Sequence, residues 1–197
     1  MNENILSSTL KSHTSKQWIE LVLKDFPLFI ADHASNERKA ASTAMDFVVR
    51  YPDKLNLVEK AAKIAQQEIA HFRQVFKRMK KHRIPLRPDE KSRYIENTLK
   101  QIRGSTSERL MDRILFAAVI EMRGQERFEL LAHFHPDQTW RDFFSDLAIS
   151  ETNHHLEYLS LGYELFTEDE INQRWQEVLE AEGKIFRELP ETYRLFT

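Results

Sequence analysis

The sequence predicts an all-α protein, a four-helix bundle with one long crossover and additional terminal helices. Three observations predict it. Only four glycines and six prolines punctuate 197 residues, so the helices should be long. Apolar residues recur at helical spacing through most of the chain. The main breaks fall in the order short, long, short: Tyr51-Pro52-Asp53, the stretch from His82 to Gly104, and His135-Pro136-Asp137. Bundles with one crossover connection have that order. The length favours a single domain over 1–197, with a bundle core at about 27–166 and an accessory helix at about 168–189.

Element by element, a short helix is expected over Lys16 to Leu23. Asp25-Phe26-Pro27 reads as a cap followed by a proline in the first turn, opening a long helix to about Arg50. A second long helix follows from about Lys54 to Lys81, and the tight break between them implies antiparallel neighbours. Periodicity weakens from His82 to Gly104, where a short helix around Tyr94 to Gln101 is expected. Ser105-Thr106-Ser107-Glu108 is a capping box that starts a third long helix ending near Phe134. A fourth runs from Asp137 to about Phe166. Thr167-Glu168-Asp169-Glu170 is a second capping box; the helix it opens carries Ile171, Trp175, Val178, Leu179 and Phe186 to pack on the outside of the bundle.

Composition excludes several classes of chemistry. There is no cysteine, hence no disulfide, thiolate zinc site or iron–sulfur cluster. No apolar run reaches the length of a membrane span, and the N-terminus lacks a secretory pattern, so a cytoplasmic location is expected. Net charge is −2 but unevenly spread. Between Lys77 and Arg103 ten Lys/Arg face three acids, so the remainder of the chain carries nine excess negative charges. Such a segment suits a polyanionic partner.

One phrase occurs twice, Glu68-Ile-Ala-His71 and Glu151-Thr-Asn-His154. Each copy follows a single glutamate, Glu37 by 31 residues and Glu121 by 30, when counted to the glutamate of the phrase. A Glu-x-x-His pair puts a carboxylate and an imidazole on one helix face. Two such pairs and two single glutamates are the ligand set of a carboxylate-bridged di-metal centre in a four-helix bundle. The flanks support burial: Ile30, Ala34, Ala41, Ala44 and Val48 surround Glu37, and Leu57, Ile64, Ala65, Phe72 and Val75 surround Glu68. Glu121 lies among Ile114, Ala117, Ala118 and Phe128, and Glu151 among Phe144, Leu147, Ala148 and Tyr158. Four buried carboxylates repel unless neutralised, and two divalent cations would neutralise them. Oxygen and nitrogen donors without sulfur suit iron or manganese, with zinc as an alternative. His33, one turn before Glu37, is either a partner of the ligand or an interior histidine. His154 is preferred to His155 on spacing; His13, His82, His133 and His135 read as solvent-facing or loop residues. Glu126, beside Arg123 and Arg127, reads as surface charge, and Tyr158 as site lining or core.

The stretch Asp32-His-Ala-Ser-Asn-Glu37-Arg-Lys-Ala-Ala resembles the first ligand helix of the tRNA 2-methylthio-N(6)-isopentenyladenosine hydroxylases, which are ferritin-like di-iron proteins. So do Gln67-Glu68-Ile-Ala-His71-Phe-Arg-Gln-Val, Ile120-Glu121-Met-Arg-Gly-Gln-Glu126-Arg-Phe and Ser150-Glu151-Thr-Asn-His154. The resemblance runs from about Trp18 to Leu165 and implies metal ligands Glu37, Glu68, His71, Glu121, Glu151 and His154. In the family, cysteine often precedes the glutamates that align with Glu37 and Glu126; Asn36 and Gln125 stand there instead, and no ligand is lost. The resemblance implies a non-haem di-iron monooxygenase that hydroxylates the isopentenyl group of the hypermodified adenosine beside the anticodon. Two iron ions, dioxygen as co-substrate and two electrons from an external ferredoxin- or flavoprotein-type donor are implied with it. The basic segment supplies candidate tRNA contacts at Lys77, Arg78, Lys80, Lys81, Arg83, Arg87, Lys91 and Arg93, with Tyr94 as a candidate base-stacking residue. The alternatives are a ferroxidase or iron-handling protein, a di-iron oxygenase on another substrate, and an RNA-binding scaffold around a structural metal. A monomer or dimer is expected; iron storage would instead need a large hollow assembly.

Overall fold

A computed structural model of the chain describes residues 9–196, and seven helices lie among them. They are α1 (Lys16–Lys24), α2 (Phe26–Arg50), α3 (Leu55–His82), α4 (Arg93–Leu99), α5 (Thr106–Phe134), α6 (Gln138–Leu165) and α7 (Glu168–Glu188). Each predicted helix is present, with ends no more than two residues from those expected. The chain divides into two compact units. One is built on Lys91–Glu191, together with the chain through Ile19 and Phe196 onward; the other is Glu20–Glu90 with Thr192–Leu195.

The Glu20–Glu90 unit is the helix pair α2 and α3, joined by the short turn at Tyr51 to Lys54. Pro27 sits in the first turn of α2, where its missing N–H costs nothing. Asp25 occupies the cap position without a side-chain cap; its carbonyl instead accepts from Leu28 N–H at 2.8 Å and Phe29 N–H at 3.0 Å. Phe29, Ile30, Ala34, Ala41, Ala44 and Phe47 of α2 and Leu57, Ala61, Ile64, Ala65, Val75 and Met79 of α3 are buried. α3 ends at Arg83 in the left-handed region (φ 57°), a position glycine usually takes. The connection beyond it is tied back to α2: Ser35 Oγ and Arg38 Nη2 each donate to Asp89 Oδ1 at 2.5 Å, and Lys39 Nζ donates to the Glu90 carbonyl at 2.7 Å.

The Lys91–Glu191 unit is the pair α5 and α6, with α7 packed on α5 and α4 packed on α7. Ile171, Trp175, Val178 and Leu179 of α7 are fully buried, as the spacing predicts. Thr167 and Glu170 complete their capping box. The Ser105 box forms only in part: Ser105 Oγ accepts from Glu108 N–H, but the Glu108 carboxylate turns to the Ser105 hydroxyl and to Arg103 Nη1 at 3.2 Å. Gly183 lets the N-terminal segment lie against α7, because a Cβ there would come within 2.8 Å of Lys11 Cβ.

Several charges read as exposed are inside this unit. Arg123 and Arg127 are buried, and Glu126 is half-buried. Arg123 donates to Glu182 Oε1 at 2.9 Å and to the Ser12 carbonyl at 2.8 Å, and pairs with Glu126. Glu126 also accepts from Thr14 Oγ1 at 2.7 Å. The reason is coverage: the N-terminal segment and α7 lie over the side of α5 that carries these charges. Tyr94 is likewise buried, donating to Glu182 at 2.9 Å and stacked on Phe196 at 5.6 Å, so it presents no face to a base. His135 is in the loop between α5 and α6, one of the two places expected for it, and is buried there against Trp140 and Phe144.

Arg103, counted in the basic segment, is committed to structure. With Arg174 it surrounds the buried carboxylate of Asp112, with contacts of 2.8 Å from Arg103 Nη2 and from Arg174 Nε. Burial alone would raise the Asp112 pKa; hydrogen bonds from Arg103 and Arg174 outweigh it and hold it below the usual range. A carboxylate with a depressed folded-state pKa contributes stability that is present above its unfolded value, about 3.9, and lost as pH falls through the folded value. Asp112→Asn is therefore expected to cost about 3 kcal/mol at neutral pH, with the deficit shrinking below about pH 4. Urea unfolding at pH 7 and pH 3 measures it; an equal deficit at both would remove the ion pairs as the cause.

Candidate functional site

Each unit carries a cluster of carboxylate and imidazole side chains close enough together to hold a metal ion. In the α2/α3 pair, Glu37 meets Glu68 and His71, and one ligand atom from each lies within 4.8 Å of the others. His71 Nδ1 is 3.5 Å from both Glu37 Oε2 and Glu68 Oε2. In the α5/α6 pair, Glu121 meets Glu151 and His154 within the same 4.8 Å, with His154 Nδ1 3.5 Å from Glu151 Oε2. The spacing of three residues makes both imidazole contacts local, while the antiparallel partner helix supplies the third carboxylate. Two oxygen or nitrogen ligands about 2.2 Å from one ion are at most about 4.4 Å apart, so each triad needs only a small contraction to bind a cation. Five of the six residues are buried and Glu121 is half-buried.

The electrostatics of the first triad fit a cation. Burial would lower the His71 pKa, but hydrogen bonds and charge from Glu37 and Glu68 push it up to about 10. Burial would raise that of Glu37, but the adjoining His33 and His71 imidazoles hold it far below the usual carboxylate range. Glu37 Oε2 is buried, and the group facing it is His71 Nδ1 at 3.5 Å. A proton on His71 thus serves where a divalent ion between the carboxylates would serve better. His33 Nε2 is hydrogen-bonded to Glu37 Oε1, which makes His33 the partner that orients this glutamate.

His155, the alternative to His154, lies outside both clusters, and burial lowers its pKa to about 4. Tyr158 is buried. Asn36 donates to Asp32 at 3.0 Å, and Asp32 accepts the Leu195 N–H at 3.0 Å; Gln125 donates to Glu129 at 2.9 Å. Both side chains are thus spent on neighbours along the helix. Gly124, not singled out from sequence, faces Glu151: a Cβ there would lie 3.8 Å from Glu151 Cγ. Of the cations, Lys77, Lys80 and Lys81 are exposed on α3, Arg78 is half-buried, Arg83 is exposed at its cap, and Arg87, Lys91 and Arg93 are exposed along the connection into α4. Lys91 pairs with Glu96 at 3.6 Å.

The family model of the tRNA-(MS2IO6A)-hydroxylases, MiaE, matches residues 3–197. The chain belongs to the MiaE family. A tRNA 2-(methylsulfanyl)-N(6)-isopentenyladenosine(37) hydroxylase from Pseudomonas putida is 33% identical over 174 residues, covering 88% of this chain and 84% of that protein. The Salmonella typhimurium enzyme of the same name is 31% identical over 143 residues, covering 73% of this chain and 51% of that one. Among solved structures, a Synechococcus protein with aldehyde deformylating oxygenase activity superposes with a TM-score of 0.90 at 32% identity, covering 95% of each chain. The fold of this MiaE-family chain is all-α and ferritin-like, as the order of its breaks predicts. No helix among the described residues is long and apolar enough to cross a membrane.

Proposed function

We propose that this chain hydroxylates the isopentenyl group of 2-methylthio-N(6)-isopentenyladenosine next to the anticodon of tRNA, as a cytoplasmic di-iron monooxygenase of one ferritin-like domain. The match to the MiaE model over residues 3–197 carries this reading. Glu37, Glu68, His71, Glu121, Glu151 and His154 are the proposed ligands of two iron ions. When bound, the iron pair supplies a site where dioxygen is activated by electrons. The overall balance is R–H + O2 + 2e− + 2H+ giving R–OH + H2O, with the electrons from a ferredoxin- or flavoprotein-type donor. His33 holds Glu37 by its hydrogen bond, and apolar residues flank both triads. The deciding experiment exposes isopentenyl-modified tRNA to reduced, iron-loaded protein and dioxygen, with nucleosides read by mass spectrometry. A nucleoside heavier by one oxygen supports the assignment; none, despite oxidised iron and intact tRNA, refutes it.

The oxygenase activity in the name of the Synechococcus structure favours one second reading, an oxygenase of the same fold acting on a different substrate, such as an aldehyde. Product from a long-chain aldehyde without product from tRNA would select it.

Lys77, Arg78, Lys80, Lys81, Arg83, Arg87, Lys91 and Arg93 are the proposed phosphate contacts. The triple charge reversal Lys80→Glu, Lys81→Glu, Arg83→Glu is expected to weaken tRNA binding and to reduce the slope of log K against log salt by about 0.9 for each phosphate no longer neutralised. A titration of affinity against salt measures this, and an unchanged slope removes the patch from the interface.

A further inference from the structure

We propose that the outer face of α3 around Phe76 is a stacking platform for an unpaired nucleotide of the RNA substrate. Phe76 receives the base, and Arg73, Lys77 and Lys80 hold the flanking phosphates. The proposal rests on the tRNA reading above and adds a binding residue that is neither a metal ligand nor a cation.

Arg73, Phe76, Lys77 and Lys80 line an open groove of about 320 Å³. Spacings of three and four residues put all four on one face of α3. Phe76 is 36% exposed, and its ring stacks on that of Phe72 with centroids 5.8 Å apart and planes 13° from parallel. Phe72 in turn carries the Arg38 guanidinium at 5.7 Å, and Arg38 is held by Asp89 at 2.5 Å. An aromatic side chain braced in this way loses little freedom when a ligand stacks on it, and every nucleobase offers a π-face.

The charges select the occupant. No acid occurs between Glu68 and Asp89, while Arg73, Lys77, Arg78, Lys80, Lys81, Arg83 and Arg87 do. Arg73 with Lys77 and Lys77 with Lys81 are like-charge pairs four residues apart, which weaken a helix rather than support it. A polyanion relieves that repulsion, and an aromatic ring amid cations is the arrangement by which proteins hold single-stranded nucleic acid. Phe76 lies five residues past His71, about 7.5 Å along the helix axis. The groove is therefore within the span of a few nucleotides from the first ligand triad.

The test measures binding of iron-loaded full-length protein to a synthetic anticodon stem-loop carrying isopentenyladenosine, and to a fully paired duplex of the same length. Phe76→Leu is expected to weaken stem-loop binding about ten-fold without changing the salt slope or duplex affinity, and Phe76→Trp to restore it. Lys77→Gln is expected to flatten the slope by about 0.7. If the unaltered protein fails to bind the stem-loop at low salt, the tRNA reading itself falls. If it binds and Phe76→Leu binds equally well at every salt concentration, the platform is overturned while that reading stands. Equal stem-loop binding together with slower reduction by an acidic electron-transfer protein would overturn it in favour of a donor-docking face.

Discussion

Glu68→Ala and His154→Ala are each expected to reduce hydroxylation at least about 100-fold while leaving helical content unchanged, because each removes one donor from a three-residue cluster. Neither residue supports the fold by apolar packing in the way its neighbours Ile64, Ala65, Phe144 and Leu147 do. In the iron-free protein, loss of the Glu68 carboxylate leaves His71 paired with Glu37 at 3.5 Å, so unfolding should change little. What disappears is the stabilisation that a ligand bound to the native state confers, RT ln(1 + [L]/Kd). The measurement is thermal unfolding with and without ferrous iron under anaerobic conditions, alongside bound-iron analysis and turnover. Full turnover in both variants would sink the ligand assignment.

Arg123→Met is expected to cost about 3–5 kcal/mol in urea unfolding, the range for removing one member of a buried ion pair. Its guanidinium is fully enclosed, contacts both oxygens of Glu182 at 2.9 and 3.1 Å, and stacks over Phe186 at 3.7 Å. Without it, Glu182, whose pKa burial already raises, keeps only the Tyr94 hydroxyl among these partners. Arg123→Met with Glu182→Leu should recover most of the loss, since replacing both members of a buried pair by apolar residues is often neutral. A single variant that loses less than about 1 kcal/mol would show that the pair is solvated. The network matters to the site because Arg123 is two residues from Glu121 on α5, and Gly124 faces Glu151.

The Glu-x-x-His half of each candidate cluster was legible because its geometry is local. A Glu-x-x-His spacing on a helix decides by itself that carboxylate and imidazole share a face, and Thr167 with Glu170 decides where α7 begins. The same reading misplaced Glu126, with its neighbours Arg123 and Arg127, and Tyr94. Their surroundings come from far along the chain: Ser12 and Glu182 reach Arg123 across 111 and 59 residues. Helical periodicity also placed Phe72 in the core stripe of α3, whereas the structure leaves it half-exposed, with Phe76 stacked beside it in an open groove.

Helix positions, the two Glu-x-x-His pairs and the positive segment were legible in the sequence alone, since each depends on residues within a turn or two of one another; Glu37 and Glu121 meet those pairs only through the packing of antiparallel helices. Which charges are enclosed, which aromatic side chains remain open to a partner, and which cations are committed to salt bridges were decided only by the tertiary structure. Burial depends on what covers a residue, and the covering segments here are remote in the chain.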